Sequence, residues 1–287
     1  MKWFSKSTAT LAIAGILLIT AMVCGCTDTG GDVTPTTGPV ETLTITGSTT
    51  VLPLAQLTAE AYMDAHANAD IQVSGGGSSV GVKAVGVGTH DIGMASRGLK
   101  DAEKTAYPGL VQHVVAKDGI AIIVYQDNPV TTLSLEQVKA IYKGDIRNWK
   151  DVGGDDMAIV VIGRDSASGT REYFYEEVMD EEDFYAGQLE KNSNGAVKQT
   201  VRQTPGAIGY VGLGYLDETV GAVALDVGGV AVEPSVGNVL AGTYPVARDL
   251  NMFTNGEPEG LAADYLAFVM SDEGQQIAAD EGFVPVA

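Results

Sequence analysis

The sequence predicts an α/β protein of two domains, and three observations carry that expectation. Its 287 residues are about twice a typical domain of ~150. With 45% hydrophobic and 19% charged residues it has ample apolar side chains for buried cores and is too apolar for a disordered chain. A strand-like run, a Ser/Gly-rich turn and a helical pattern also follow one another three times, the alternation expected of an α/β fold.

The N-terminus reads as an export signal. Met1 to Lys6 carries two lysines, and Ala9 to Cys24 then runs uncharged through Leu11, Ile13, Ile16 to Ile19, Met22 and Val23. A basic start, a short apolar stretch and a small-residue exit describe a secretory signal over residues 1–25. The exit Val23-Cys24-Gly25-Cys26 resembles a lipobox, with Cys26 the candidate for lipid attachment; the alternative is an uncleaved anchor helix. Either way the protein is expected outside the cytoplasm, tethered to the outer face of the cell membrane. Residues 26–40 are rich in Thr, Gly and Pro and read as a flexible stalk. Cleavage after Gly25 would remove Lys2 and Lys6 and take the formal charge from −20 to −22.

The first repeat is Leu43 to Thr46 as a strand, Gly47-Ser48-Thr49-Thr50, then Val51, Leu54, Ala55, Thr58, Ala61, Tyr62 and Ala65 at helical spacing. Ser48, Thr49 and Thr50 are thereby expected at the N-cap and first turn of the helix. The second is Ile71-Gln72-Val73, the turn Gly75-Gly76-Gly77-Ser78-Ser79 and a helix from Val80. The third is Ile159 to Ile162, then Gly163-Arg164-Asp165-Ser166-Ala167-Ser168-Gly169-Thr170-Arg171, then Tyr173, Phe174, Glu177 and Val178 at helical spacing. A helix start offers unpaired N–H groups and a partial positive charge, so three such starts bearing hydroxyls point to one small anion. Three of the six arginines support this: Arg164 and Arg171 flank the third turn, and Arg97 ends the run Asp91-Ile92-Gly93-Met94-Ala95-Ser96-Arg97. A guanidinium fork matches a tetrahedral oxyanion with two parallel bonds. For Arg97 and Arg171 a surface ion pair is the competing role.

Other functions fit poorly. A formal charge of −20 repels a nucleic-acid backbone. The only cysteines are Cys24 and Cys26, so the body offers no thiolate for metal, disulfide or catalysis. His66, His90 and His113 lie outside the hydroxyl clusters, leaving Ser78 without a positioned base. No Gly-x-x-x-x-Gly-Lys-Ser/Thr run is present. Neither cofactor nor metal is expected.

Gly47-Ser48-Thr49-Thr50-Val51, Gly77-Ser78-Ser79, Asp91 to Arg97, Arg164 with Ser168-Gly169-Thr170-Arg171, Ile141 to Trp149 and Pro205-Gly206-Ala207-Ile208-Gly209-Tyr210 together resemble the phosphate-binding subunit of ABC phosphate importers. The likeness extends over about residues 42 to 287. It implies a two-lobed clamshell of the type II periplasmic-binding-protein kind, each lobe a mixed sheet flanked by helices, with two crossovers. Residues 41–118 and 248–287 would form one lobe and 119–247 the other. The resemblance also implies phosphate binding through Ser48, Thr49, Thr50, Ser78, Ser96, Arg97, Arg164, Ser168, Gly169 and Thr170, and delivery by a monomer to an ABC permease. Binding of another tetrahedral oxyanion, phosphate sensing and, less favoured, phosphate-ester hydrolysis are the alternatives. One departure concerns selectivity: where some relatives carry an aspartate that accepts the proton of hydrogen phosphate, this chain has Ser96, followed by Arg97. Asp165, next to Arg164, is a candidate for orienting that guanidinium.

Overall fold

A computed structural model describes residues 38–286; the signal segment, Cys26 and most of the stalk lie outside them. Among the described residues no helix is long and apolar enough to cross a membrane. The chain opens with β1 (Glu41–Gly47), whose alternation buries Leu43 and Ile45, and α1 (Leu52–Ala65), which buries Leu54, Ala55, Thr58, Ala59 and Tyr62 on one face. Then follow β2 (Ala69–Gly75), α2 (Ser78–Gly86), β3 (Ile92–Ala95) and α3 (Asp101–Ala106). The long β4 (Leu110–Val124) leads into β5 (Thr132–Ser134), α4 (Leu135–Lys143), β6 (Val160–Arg164), α5 (Gly169–Glu177), β7 (Leu189–Lys191), α6 (Asn194–Gln203) and β8 (Ala207–Gly212). β9 (Gly221–Val227), β10 (Val230–Val232), α7 (Val236–Leu240), β11 (Ala247–Asn255), α8 (Gly260–Val269) and α9 (Asp272–Asp280) complete the chain.

The strands pair in the order β2-β1-β3-β11-β4-β8-β6-β7, with β9 alongside β4 and flanked by β5 and β10. β1 is parallel to β2 and β3, β6 is parallel to β7 and β8, and β11 and β4 run antiparallel between the two sets. β4 changes partner part-way: Leu110 to Gly119 pairs with β11, and Ile120 to Val124 with β8. The buried side chains divide at the same place. One cluster gathers Leu43, Ile45, Leu54, Met94, Val115, Leu250, Met252 and Phe283, while a larger one gathers Ile120, Ile122, Tyr142, Trp149, Ile162, Phe174, Tyr210 and Leu225. β4 and β11 are therefore the two strands on which the chain passes between one core and the other.

The helix starts differ in detail from the sequence expectation. Ser48, Thr49 and Thr50 form a turn before α1 and do not cap it: Val51 holds the cap position with no side-chain bond, and a proline lies in the first helical turn. Pro53 lacks the N–H that a capping hydroxyl would bind and has its φ already set for a helix, so the helix begins around it. The Gly-rich turn is likewise shorter than expected, because β2 extends to Gly75 and α2 already begins at Ser78. Ser168 is the true cap among these residues, accepting the Arg171 N–H at 3.1 Å.

Candidate anion site

The starts of α2 and α5 meet head to head. Gly77 precedes α2 with φ +98°, a backbone closed to most L side chains, and a Cβ there would sit 2.6 Å from the Ala167 carbonyl. The close fit lets the Ser79 N–H donate to Ala167 O at 3.2 Å. On the other side Gly169 opens α5 directly against the hydroxyls of Ser78 and Ser96, and any Cβ would overlap Ser78 Oγ. Two helix N-termini, each with a partial positive charge and unpaired amides, thus face one small polar volume.

Hydroxyls from four segments line it. Thr49, Thr50, Ser78, Ser96, Ser168 and Thr170 are all buried. Thr50 Oγ1 lies 3.0 Å from Thr170 Oγ1, joining the turn before α1 to the first turn of α5. Ser78 Oγ accepts the Ser96 N–H at 3.1 Å. Arg164, the last residue of β6, extends beneath them and is 1% exposed. Its Nε donates to Lys191 O at 3.2 Å, and its Nη2 to Thr49 Oγ1 at 3.3 Å and Asn192 O at 3.4 Å. Its Nη1 is buried without a protein partner, and among the described residues no carboxylate forms an ion pair with the guanidinium. Burial lowers the Arg164 pKa, and the nearby Asp165 charge only partly opposes this. A buried cation held by carbonyls and hydroxyls, with donors to spare, is costly unless it meets an anion.

Several candidates from the sequence lie elsewhere. Ser48 is buried but spends its Oγ on the Thr50 N–H, 3.2 Å away, and so shapes the turn. Arg97 turns to Glu103, with both terminal nitrogens 2.8 Å from its carboxylate oxygens, and further bonds tie it to Gly98 O and Ser79 Oγ. Burial raises the Glu103 pKa, but the bonds from Arg97 and the Lys100 N–H outweigh it and leave the group below its usual range. Asp165 does not orient Arg164; its carboxylate takes the Ala167 N–H at 3.2 Å and shapes the loop before α5. Among the described residues Arg171 forms no ion pair, and it lies over the Phe184 ring, 4.8 Å from its centre.

Three residues in the same cluster had not been expected there. Asn194, at the start of α6, donates from Nδ2 to Thr49 Oγ1 at 3.1 Å and Thr50 Oγ1 at 2.9 Å. Its Oδ1 takes the Gly212 N–H at 3.3 Å, which fixes the amide with its NH2 toward the threonines. Arg248 on β11 forms a fully buried pair with Asp118 on β4, with Nη2 to Oδ2 at 2.9 Å. Burial pushes the Asp118 carboxyl up and the Arg248 guanidinium down, each opposed by the other's charge. A partial signal for the pair was present in the sequence: Lys117 and Asp118 interrupt the apolar run from Val114 to Val124, and of two neighbouring strand residues one faces inward, where a charge needs a partner. Asn194 follows Asn192-Ser193, a cap pattern resembling the other helix starts.

A mixed sheet with two cores joined by two crossing strands, and polar helix starts meeting between them, is the architecture of a type II solute-binding protein. The PBP superfamily domain model matches residues 32–273. The phosphate-binding protein PstS of Bacillus subtilis is 38% identical over 246 residues, spanning 85% of this chain and 80% of that protein. A phosphate ABC transporter substrate-binding protein from Clostridium perfringens, solved with bound phosphate, superposes with a TM-score of 0.80 at 38% identity, over 86% of this chain and all of that one. An ABC-type phosphate transport receptor from Vibrio cholerae follows with a TM-score of 0.69 at 32% identity, over 86% of this chain and 100% of its own. The chain belongs to the PBP superfamily and, within it, to the PstS family of phosphate-binding proteins.

Proposed function

We propose that this protein binds inorganic phosphate outside the cytoplasm and presents it to an ABC permease for import. The observation that carries the reading is Arg164: a buried guanidinium with a free Nη1, no carboxylate partner, and hydroxyls and helix starts around it. The family's named ligand, phosphate, suits such donors, since it is small, singly to doubly charged at neutral pH and rich in acceptors. In this reading the phosphate contacts are Thr49, Ser78, Ser96, Arg164, Ser168, Gly169 and Thr170, with Thr50 set behind Thr170. Ser48 and Arg97 support them from behind. Residues 41–118 with 248–287 act as one lobe and 119–247 as the other, the ligand lying between. In this reading the site binds rather than catalyses; His66 stacks on Tyr62, His90 lies beside Thr89 and His113 bonds Thr254, which speaks against any of the three serving Ser78 as a base. The chain works as a monomer, and the export-signal pattern and Cys26 fit a lipid anchor on the outer face of the cell membrane.

Ser96 sets the expected selectivity. Its hydroxyl can accept the proton of hydrogen phosphate or rotate to donate to sulfate, whereas an aspartate could only accept. Calorimetric titration with phosphate, arsenate, sulfate and molybdate tests the reading. Phosphate and arsenate should bind tightest, sulfate more weakly, and Ser96→Asp should widen that gap. Tighter binding of sulfate or molybdate than of phosphate would contradict it.

A further inference from the structure

Building on the phosphate-binding reading, we infer that Arg248, clamped by Asp118, is a positioning residue that fixes the direction in which the site's threonine hydroxyls donate. A hydroxyl carries one hydrogen and two lone pairs, so its direction is set by what fills the lone pairs. Guanidinium and amide N–H groups can only donate. Thr50 Oγ1 receives Asn194 Nδ2 at 2.9 Å, and Arg248 Nη2, which gives one of its two hydrogens to Asp118 Oδ2, shares the other between Thr170 Oγ1 at 3.0 Å and Thr50 Oγ1 at 3.3 Å. With both lone pairs engaged, its proton goes to the one hydroxyl in reach, Thr170 Oγ1 at 3.0 Å. Thr170 Oγ1 also receives Arg248 Nη2 at 3.0 Å, so its lone pairs are filled in turn. Its own hydrogen then has no protein acceptor and points to the ligand. Thr49 is polarised in the same manner by Arg164 Nη2, Asn194 N and Asn194 Nδ2.

Arg248 suits this task better than that of a second phosphate clamp. Its Nε and Nη2 bond Asp118 Oδ2 at 3.3 and 2.9 Å, and its Nη1 donates to Ser96 O at 3.0 Å. Asp118 Oδ1 takes the Leu213 N–H at 2.8 Å, so the carboxylate is itself held. The pair's charges cancel, and every Arg248 nitrogen has a protein partner. What it contributes is orientation: one guanidinium, carried on a crossing strand, touches the turn before α1, the Ser96 carbonyl and the start of α5. The site therefore meets its ligand as an array of donors whose most adaptable member is Ser96.

A double-mutant cycle on the protein, read by phosphate calorimetry, tests this. Arg248→Lys and Thr170→Val should each weaken binding about tenfold or more. Adding Arg248→Lys to Thr170→Val should cost less than about threefold further, because Arg248 acts through that hydroxyl. Independent, multiplying losses would overturn the inference. A second readout separates orientation from mere support. Without the Arg248 fork, Thr170 Oγ1 can accept a phosphate proton, so the affinity optimum of Arg248→Lys should move toward acid pH, where phosphate is more protonated. An unmoved profile would also overturn it. If Arg248→Lys does not fold, Thr50→Val frees the other lone pair of Thr170, the one its hydroxyl fills, and should shift the optimum in the same direction; no shift there counts against the inference. Failure of the parent to bind phosphate would instead overturn the reading of the site itself.

Discussion

At the scale of single residues, the weight falls on Arg164. Its surroundings offer carbonyls and hydroxyls and, among the described residues, no ion-paired carboxylate; the Asp165 charge only partly offsets its burial, so the ligand's charge is the main compensation. Truncating one partner of a buried, hydrogen-bonded charge pair costs ~2–5 kcal/mol of binding. Arg164→Ala should weaken phosphate binding by that amount in calorimetry; affinity within threefold of the parent would show that another cation does the work. Arg164 and the Ser-Gly-Thr turn were legible in the sequence because a strand, a loop and a helix start follow one another within a dozen residues. For Asn194, Arg248 and Asp118 the sequence shows a cap pattern and a charge inside a strand but not their meeting, because each reaches the cluster from a separate element through pairings between distant segments. Arg97 was over-read for the opposite reason. Its place at the end of β3 is visible in the sequence, but its capture by Glu103 depends on how α3 folds back.

Helix starts decide the geometry at the next scale. The strand–turn–helix units are legible because their apolar residues recur with the periods of strand and helix. β7, with the sequence Leu-Glu-Lys, is short and largely exposed and carries no such period. The order of strands in the sheet was also hidden, since β11 is inserted between β3 and β4 from more than a hundred residues away. The meeting of α2 and α5 depends on Gly169, and here stability and binding should separate. Alanine is a better helix former than glycine and narrows the unfolded ensemble, a gain of ~0.4–1 kcal/mol where the new methyl has room. In the closed arrangement the methyl would overlap Ser78 Oγ. Gly169→Ala should therefore leave the melting temperature of the phosphate-free protein unchanged or higher, while weakening phosphate binding at least tenfold. Intact affinity would mean that the two helix starts do not approach one another in the bound state.

At the scale of the whole molecule, an acidic protein holding an anion raises an apparent conflict. The formal charge of −20 is spread over the entire chain, and at physiological salt exposed charges are screened beyond ~8 Å. Donors within ~3 Å in a water-poor cleft outweigh it. The contacts that join the two halves lie around that cleft: Thr50 with Thr170, Ser79 with Ala167, Lys100 with Glu172 at 2.6 Å and Tyr215 with the Thr49 carbonyl. In the proposed two-lobed reading they form as the two cores approach, so ligand enclosure would be coupled to rotation on the crossing strands β4 and β11. The central claim is thus that the two halves close over one phosphate. Small-angle scattering of the protein titrated with phosphate tests it most directly. The radius of gyration should fall as phosphate is added and level off at one phosphate per chain; a radius unchanged at saturation would contradict the account.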